Sequence, residues 1–217
     1  ELWKVSMQDF GGNVPIWGYA ESPLVDGDKV VCTPGGSQGT MLALNKMTGE
    51  KIWQTEALTK QLEDGGSSKP AKAHYSSILP VDWNNKRQLI QLTELAVVGV
   101  AAEDGSVLWR SDWLGRVAVI PSPIFYEGRV YVTSGYNIGS KLIQIEDDNS
   151  AKDVWYNKAM QNHHGGVVKI GNYVYGSSAK SFMCQSLESG EMVWSDRKIK
   201  KGAIAYADER FYHIEEG

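Results

Sequence analysis

The sequence predicts an all-β fold made of repeating four-stranded antiparallel units, and three observations support this prediction. Among 217 residues, 23 are Gly, 10 are Tyr and 8 are Trp, which suits turns and half-buried strands better than long helices. Short β-branched and aromatic runs alternate with Gly, Asp and Asn. A Trp-containing segment recurs at intervals of 39 to 56 residues. We therefore expect a repeat protein.

Composition and charge limit the kinds of partner. The hydrophobic set makes up 42% of the chain and charged residues 22%, which is the ordinary range of folded globular proteins. The formal net charge is −4, so there is no basic excess to collect phosphates, and we expect no nucleic-acid partner. The longest apolar run, Leu95 to Ala102, is far shorter than the ~18 residues of a membrane-spanning helix, so we expect no membrane span.

The first recurring element is a strand, a tight turn and a second strand. It occurs five times, and in four copies the pattern aligns without gaps. The turns of these four copies contain Asp26-Gly27-Asp28, Tyr126-Glu127-Gly128, Lys169-Ile170-Gly171 and Tyr206-Ala207-Asp208. In the copy that starts at Ser77, a longer turn is expected through Asp82-Trp83-Asn84-Asn85.

Each period continues with a third strand and then a fourth that carries the Trp. Examples of the third strand are Met41–Leu44 and Lys141–Ile145. The fourth strands contain the segments Gly49–Trp53, Gly105–Trp109, Ala151–Trp155 and Gly190–Trp194. One such unit cannot bury both faces of its sheet, so neighbouring units must pack together. Four strands in a repeat of about 40 to 45 residues are typical of a β-propeller blade. A two-sheet sandwich would not explain a Trp at the same place in every unit.

We predict a single β-propeller domain over residues 1–217. Four full blades are expected at about 18–56, 73–112, 117–156 and 163–198, with partial blades at 1–5 and 202–217. The first partial blade would be an outer strand, Leu2 to Val5, and the last a strand pair from Gly202 to Ile214. The two parts either complete a five-bladed ring or belong to a seven- or eight-bladed propeller, and the missing third strand favours the larger ring.

The recurring Trp is expected in the seam between adjacent sheets, where a large rigid indole buries much surface. Gly49 would supply the positive φ that the preceding turn needs. An alignment of eleven residues ending at the Trp places Ala43, Gly99, Ile145 and Cys184 at one position, and three of the four are small. Cys184 and Cys32 are therefore interpreted as small buried side chains rather than as a disulfide or a ligand pair.

An acidic segment, Glu146 to Asn149, has two interpretations. Oxygen ligands at alternate positions are what Ca²⁺ prefers, but the segment lacks the Gly and the distal Glu of an EF-hand loop. A solvated hairpin tip is the favoured interpretation.

The segment Ala43 to Trp53, A-L-N-K-M-T-G-E-K-I-W, resembles the tryptophan-docking motif of the pyrroloquinoline-quinone (PQQ) repeat. That repeat is found in quinoprotein dehydrogenases and in non-enzymatic relatives such as the assembly lipoprotein of the BAM complex. Asn162–Val168 and Tyr206–Asp208 further resemble bacterial PQQ-like propeller proteins labelled alcohol or polyvinyl-alcohol dehydrogenases. The resemblance implies a periplasmic or secreted protein, with any leader absent from this chain.

Two functions follow from the resemblance. Quinoprotein dehydrogenases hold PQQ with a vicinal disulfide, a Trp floor and Ca²⁺, and use a catalytic Asp. This chain has no adjacent cysteines and no matching Asp and Ca²⁺ ligand set, so we assign no catalytic residue, no metal and no cofactor. The expected function is a non-catalytic platform for a ligand or protein. The alternative is an alcohol or polyvinyl-alcohol dehydrogenase that uses PQQ with Ca²⁺.

A ligand site is expected at one mouth of the propeller channel, where the inner strand of every blade contributes equivalent residues. The aligned positions carry Glu21, Ser76, His164 and Lys201, preceded by Tyr75 and His163. These six polar side chains would suit a small hydroxylated or carboxylated ligand, or a protein partner. They could instead hydrogen-bond to one another and to channel water. Because alternate strand residues face opposite ways, His163 and His164 should not bind the same metal.

Overall fold

The computed structural model describes residues 2–60, 62–63, 66–178 and 180–216. Glu1 and Gly217, the outermost residues of the two predicted partial blades, lie outside the described residues. Contacts divide the chain into two compact units, and each is described by itself. Unit 1 comprises Glu1–Leu114 with Asp147–Ser150, and unit 2 comprises Gly115–Glu146 with Ala151–Gly217. The described residues contain no helix that is long and apolar enough to cross a membrane.

Unit 1 contains two four-stranded antiparallel sheets in which neighbours in sequence are neighbours in the sheet. The first sheet consists of β1 (Leu24–Asp26), β2 (Lys29–Cys32), β3 (Leu42–Asn45) and β4 (Lys51–Gln54). The second consists of β5 (Leu79–Trp83), β6 (Lys86–Leu92), β7 (Ala96–Ala101) and β8 (Val107–Asp112). A short 3₁₀ helix, Met7–Phe10, precedes them.

Unit 2 contains two further four-stranded sheets of the same order and one two-stranded sheet. The strands are β9 (Ile124–Tyr126), β10 (Arg129–Ser134), β11 (Gly139–Ile145) and β12 (Ala151–Asn157), then β13 (Val167–Ile170), β14 (Tyr173–Ser178), β15 (Ser181–Ser186) and β16 (Met192–Asp196). The final pair is β17 (Gly202–Ala207) and β18 (Arg210–Glu215). Every four-stranded sheet thus repeats the predicted strand pattern.

The apolar core of each unit lies on the second and third strands of its sheets. In β7, the residues from Ala96 to Val100 are all buried, and β6 contributes the fully buried Leu89 and Ile90. In unit 2, the buried Tyr131 and Leu142 pack with Val174. The inner strands hold the longest buried runs because both of their faces are covered, whereas the first and fourth strands are mostly half-buried or exposed.

All five hairpins between the first and second strands have two-residue turns. In the second sheet Trp83 pairs with Lys86, and the turn consists of Asn84 and Asn85 at φ values of 49° and 57°. The longer turn predicted for this copy is therefore wrong. The additional residues lengthen β5 and β6 instead, and two asparagines adopt the left-handed conformation that this turn requires.

Three indoles lie on the turn between the third and fourth strands of the following sheet. Each indole N–H donates to the carbonyl three residues before the turn glycine: Trp3 to Lys46 at 2.9 Å, Trp53 to Ala102 at 3.1 Å, and Trp155 to Leu187 at 3.0 Å. A buried indole needs such an acceptor. The predicted packing of the indole between sheets is thus observed at these three positions.

The turn glycines are required by this contact as well as by their backbone conformation. Gly49, Gly105 and Gly190 have φ values of 76°, 79° and 74°. A Cβ atom on any of them would lie 2.6 to 2.7 Å from a carbon of the docked indole. The flat ring therefore packs directly on the glycine backbone, and a larger residue would displace it.

The buried Trp109 differs, because its indole N–H is hydrogen-bonded to a side chain instead of to a turn carbonyl. Its indole N–H donates to Gln88 Oε1 at 2.8 Å, and Gln88 Nε2 donates to Asn149 Oδ1 at 3.0 Å. Asn149 has a φ of 65° and lies in the turn where the other sheets have Gly. The acidic segment around it is an exposed hairpin tip, as favoured by the sequence.

Trp194 has different surroundings. Its side chain is 42% exposed, and its described ring contacts are to Tyr175 and Phe182, at centroid distances of 6.2 and 5.9 Å. Among the described residues β17 and β18 form only a pair, so that sheet offers no turn between a third and a fourth strand. The expectation of equivalent surroundings for Trp194 is therefore wrong.

The small residue opposite the Trp was predicted correctly in three sheets. Ala43 pairs with Trp53, Gly99 with Trp109 and Cys184 with Trp194. Both cysteines are buried and free. In the third sheet, however, Leu142 pairs with Trp155, so the placement of Ile145 at this position is wrong. Trp155 is the fifth residue of β12, whereas the Trp of each other sheet is the third residue of its strand, and an ungapped alignment ending at the Trp does not detect this difference.

The predicted strand from Leu2 to Val5 is not formed in the described residues, although Trp3 docks as expected for a fourth-strand Trp. Trp3 and Val5 pack with Met7 and Phe10 against the buried side chains of Cys32, Leu42 and Leu44. Packing of these side chains therefore holds the segment in place without strand pairing.

Replacing Gly105 tests the indole contact. Gly105→Ala places a methyl group against Trp53, whereas the control Gly27→Ala has the same left-handed backbone, at a φ of 60°, with open space around it. Both variants should lose about 1–2 kcal/mol for an L-residue in that conformation. Gly105→Ala should lose a further ~1–3 kcal/mol for overpacking, measured as free energy of unfolding in urea. Equal losses would contradict the assigned contact.

Candidate functional site

The predicted site residues of unit 1 form a buried hydrogen-bond network. Glu21 Oε1 accepts the backbone N–H of Thr33, which directly follows β2. Gln91, in β6, donates through Nε2 to Thr33 Oγ1 at 2.9 Å and to the Ser76 carbonyl at 3.0 Å. Thr33 and Gln91 therefore join Glu21 to Ser76, and neither was identified from the sequence.

Three buried polar atoms around this network have no hydrogen-bond partner among the described residues. They are Glu21 Oε2, Gln91 Oε1 and Tyr19 Oη. Burial raises the pKa of Glu21 to about 7, although the hydrogen bonds from Thr33 oppose the shift. Burial and the charge of Glu21 raise the pKa of the Cys32 thiol to about 12. The protonation of Glu21 therefore changes near neutral pH, well above the range of an exposed carboxyl.

Tyr75 belongs to an aromatic group beside this network. Its ring lies 5.9 Å from Trp17 and 6.0 Å from His74, both edge-on. His74 Nε2 is 3.2 Å from Glu94 Oε2, and this contact lowers the pKa of Glu94. Trp17 is 64% exposed. The described contacts of the Tyr75 ring are thus aromatic rather than polar.

The predicted site residues of unit 2 meet around a carboxylate that sequence reasoning missed. Glu216 Oε1 lies 3.1 Å from His164 Nε2, and Glu216 Oε2 lies 2.7 Å from Lys201 Nζ. These two contacts lower the pKa of Glu216, with the Lys201 contact the larger cause. Glu216 directly follows Glu215 at the end of β18, and this acidic pair gave no sequence signal for the role.

His163 and His164 lie on the same side of the backbone, with ring centroids 5.0 Å apart. The expectation that they point in opposite directions is wrong, because this segment precedes β13 and is not a strand. His163 also packs on Tyr136 at 4.7 Å. Burial lowers the pKa of His163, and the positive charges of Lys201 and His164 lower it further.

Two glycines and a tyrosine in the left-handed backbone conformation allow the two histidine rings to pack together. A Cβ on Gly135 would lie 3.0 to 3.3 Å from His163, and one on Gly165 would lie 2.4 Å from a backbone carbonyl oxygen. Tyr136 has a φ of 54°, which is uncommon for a bulky residue. The turn between β10 and β11 therefore holds Tyr136 in a strained conformation beside the histidines.

A serine and a histidine also meet in unit 2. Ser177 Oγ and His213 Nε2 are 2.9 Å apart, but the Ser177 hydroxyl also lies 3.2 Å from the Gly202 carbonyl, and the residue is 1% exposed. A buried hydroxyl with these contacts links β14 to β17 and β18 rather than facing a substrate.

Five of the six predicted residues therefore form two described groups, one in each unit, and Tyr75 lies beside the group of unit 1. Glu21 and Ser76 share one network, and His163, His164 and Lys201 share another. Their assembly into a single ring at a channel mouth stays a prediction.

The residues of the described chain do not assemble the donor set that PQQ with Ca²⁺ would need. No group of three or more His, Cys, Asp or Glu side chains in residues 2–60, 62–63, 66–178 and 180–216 is placed to hold a metal ion. The cysteines, Cys32 and Cys184, are each free and buried in different sheets. We therefore derive no step through this cofactor.

A family model described as "Outer membrane protein assembly factor BamB" matches residues 1–196. The chain belongs to this family. The resemblance to PQQ-repeat proteins is thus confirmed. No curated protein matches the chain.

Solved structures show the same β-propeller fold. BamB from Moraxella catarrhalis is 15% identical with a TM-score of 0.59, over 84% of this chain and 49% of that one. Quinohemoprotein alcohol dehydrogenase ADHIIG from Pseudomonas putida HK5 is 13% identical with a TM-score of 0.61, over 90% of this chain and 44% of that one. A europium-containing methanol dehydrogenase is 11% identical with a TM-score of 0.62, over 98% and 52%. The chain spans about half the length of these structures.

Glu21 should make stability depend on pH. Its folded pKa of about 7 is above the ordinary 4.5, so the folded state retains the proton more strongly. The resulting stabilisation is present below about pH 4.5 and is lost as the pH rises through about 7, up to ~3 kcal/mol in all. Glu21→Gln should remove this fall, measured by urea unfolding between pH 5 and 8. The exposed Glu103→Gln serves as control, and a Glu21→Gln profile that keeps the wild-type slope would contradict the assignment.

Proposed function

We propose that this protein is a non-catalytic binding platform in the periplasm or outside the cell, and that its partner is a protein. The observation that carries the proposal is the match of residues 1–196 to a family described as an outer membrane protein assembly factor. The propeller fold itself is shared with dehydrogenases, so the fold alone does not choose between binding and catalysis.

The outer strand β16 is the surface that best supports protein binding. It is an edge strand of its sheet, and Met192 and Val193 are 55% and 52% exposed. An edge strand has backbone donors and acceptors that a partner strand can pair with, and exposed apolar side chains add contact area. By contrast, the edge strand β8 exposes no residue from Val107 to Ser111 to this degree. We therefore place the partner along β16.

Photocrosslinking in the native bacterium tests the proposal. A photoreactive amino acid at Val193 should capture one extracytoplasmic protein, and the matched control at Ile52, which also precedes its Trp on an outer strand, should not. Adding Met192→Glu should reduce the crosslink at least about fivefold, because a charge replaces an apolar contact. Equal capture from both positions would contradict the placement.

The catalytic alternative has a separate test. Alcohol-dependent dye reduction by the purified protein after addition of PQQ and Ca²⁺ would overturn the non-catalytic proposal. Under the proposal, equilibrium titration with PQQ should show no binding at high micromolar concentration, and dye reduction should stay at the rate without protein.

A further inference from the structure

The contacts of Glu216 are those of a bound carboxylate. One oxygen faces the His164 imidazole at 3.1 Å and the other faces the Lys201 ammonium at 2.7 Å. Charge-assisted bonds to both oxygens are a strong and directional way to hold a carboxylate. His164 and Lys201, which we call the receptor, lie in the segments before β13 and β17, whereas Glu216 follows β18. The carboxylate and its receptor therefore belong to different segments.

The receptor lies beside a further hydrogen-bonding group, the imidazole of His163, that Glu216 does not use. His163 Nδ1 is buried and has no hydrogen-bond partner among the described residues. Its ring lies beside His164, and the positive charges of Lys201 and His164 act on it. An anion placed here would therefore experience a favourable potential and could accept a further hydrogen bond from His163.

Glu216 can leave this receptor without unfolding the strand pair. Its side chain is 50% exposed, against 35% for His164 and 26% for Lys201. Its backbone N–H donates to the Lys201 carbonyl at 2.9 Å, which holds the main chain while the side chain changes rotamer. An incoming carboxylate thus competes with a single exposed side chain.

Tyr136 gives the receptor an aromatic wall. The ring packs edge-on against His163 at 4.7 Å and is 51% exposed. The left-handed φ values of Tyr136 and Asn137, 54° and 64°, fix the turn that presents it. An exposed, rigidly held tyrosine favours a ligand with a flat apolar part next to its charge.

We propose that His163, His164 and Lys201 bind a carboxylate attached to an aromatic group, and that Glu216 occupies this site as an intramolecular competitor. The inference rests on the proposed function as a binding platform and names the ligand chemistry of one site. Small aromatic acids and peptide C-termini with an aromatic residue share this chemistry.

Titration with hippurate, followed by the His164 imidazole NMR signals and by calorimetry, tests the site. Glu216→Gln removes the competing charge and keeps the side-chain shape, so it should bind hippurate about tenfold more tightly than the wild type, as expected for removing an effective concentration in the millimolar range. Glu191→Gln, an exposed control in the turn before β16, should match the wild type. The neutral amide of hippurate should not bind either variant.

Two further variants assign the contacts. Lys201→Met in the Glu216→Gln background should lose at least tenfold in hippurate affinity, while Tyr136→Ala should weaken hippurate and leave acetate unchanged. A tripeptide ending in Phe, free or amidated, distinguishes the sources: tighter binding of the free peptide than of hippurate assigns a peptide terminus, and the reverse assigns a small acid.

The inference is overturned if Glu216→Gln and the wild type bind hippurate equally, if the amide binds as well as the acid, or if the His164 signals do not move. Loss of hippurate binding with the Val193 crosslink retained would remove only this site. Loss of the crosslink with hippurate binding retained would remove only the proposed protein platform.

Discussion

The packing of an indole on the backbone of a neighbouring turn is the contact on which the architecture depends. At Trp53 it combines three features: a glycine with a left-handed φ, a carbonyl three residues earlier, and a small residue opposite the Trp in its own sheet. Each feature lies in a different strand or turn, so the contact couples the third and fourth strands of one sheet to the outer strand of the sheet before it. A four-stranded sheet with two apolar faces is not stable alone, and this coupling covers one of them.

The variation among these contacts shows which feature is essential. Asn149 replaces the glycine, and there the indole of Trp109 donates to a glutamine side chain instead of a carbonyl. Leu142 replaces the small residue, and there Trp155 lies two residues further along its strand than the Trp of the other sheets. In both cases the indole N–H still donates a hydrogen bond, from Trp109 to the Gln88 side chain and from Trp155 to the carbonyl of Leu187. Satisfying the buried donor is therefore the constant requirement, and the residue types around it can adapt.

The sequence was sufficient to predict the strands of the four-stranded sheets, their order and the docking of Trp53 and Trp155, because each depends on residues that are close together in the chain. It failed where the outcome depends on pairing register or on distant residues. Ile145 was misplaced because Trp155 lies two residues further along its strand than the other Trp residues, which shifts the register without changing the local pattern. Asn84–Asn85 was interpreted as part of a longer turn because strand length is set by the neighbouring strand. Thr33, Gln91 and Glu216 join their groups only through contacts between elements that are far apart in sequence.

The two candidate groups use burial in opposite ways. Glu21 is a carboxyl removed from water with hydrogen bonds from Thr33 but no cation among the causes of its pKa shift, so it holds a proton at a pH where an exposed carboxyl would not. Glu216 is an exposed carboxylate held by two basic side chains, so it stays ionised and exchangeable. A platform that recognises an acidic ligand needs the second arrangement, because its basic side chains bind a carboxylate and the resident carboxylate can leave. This difference is the reason for placing the ligand at His164 and Lys201 rather than at Glu21.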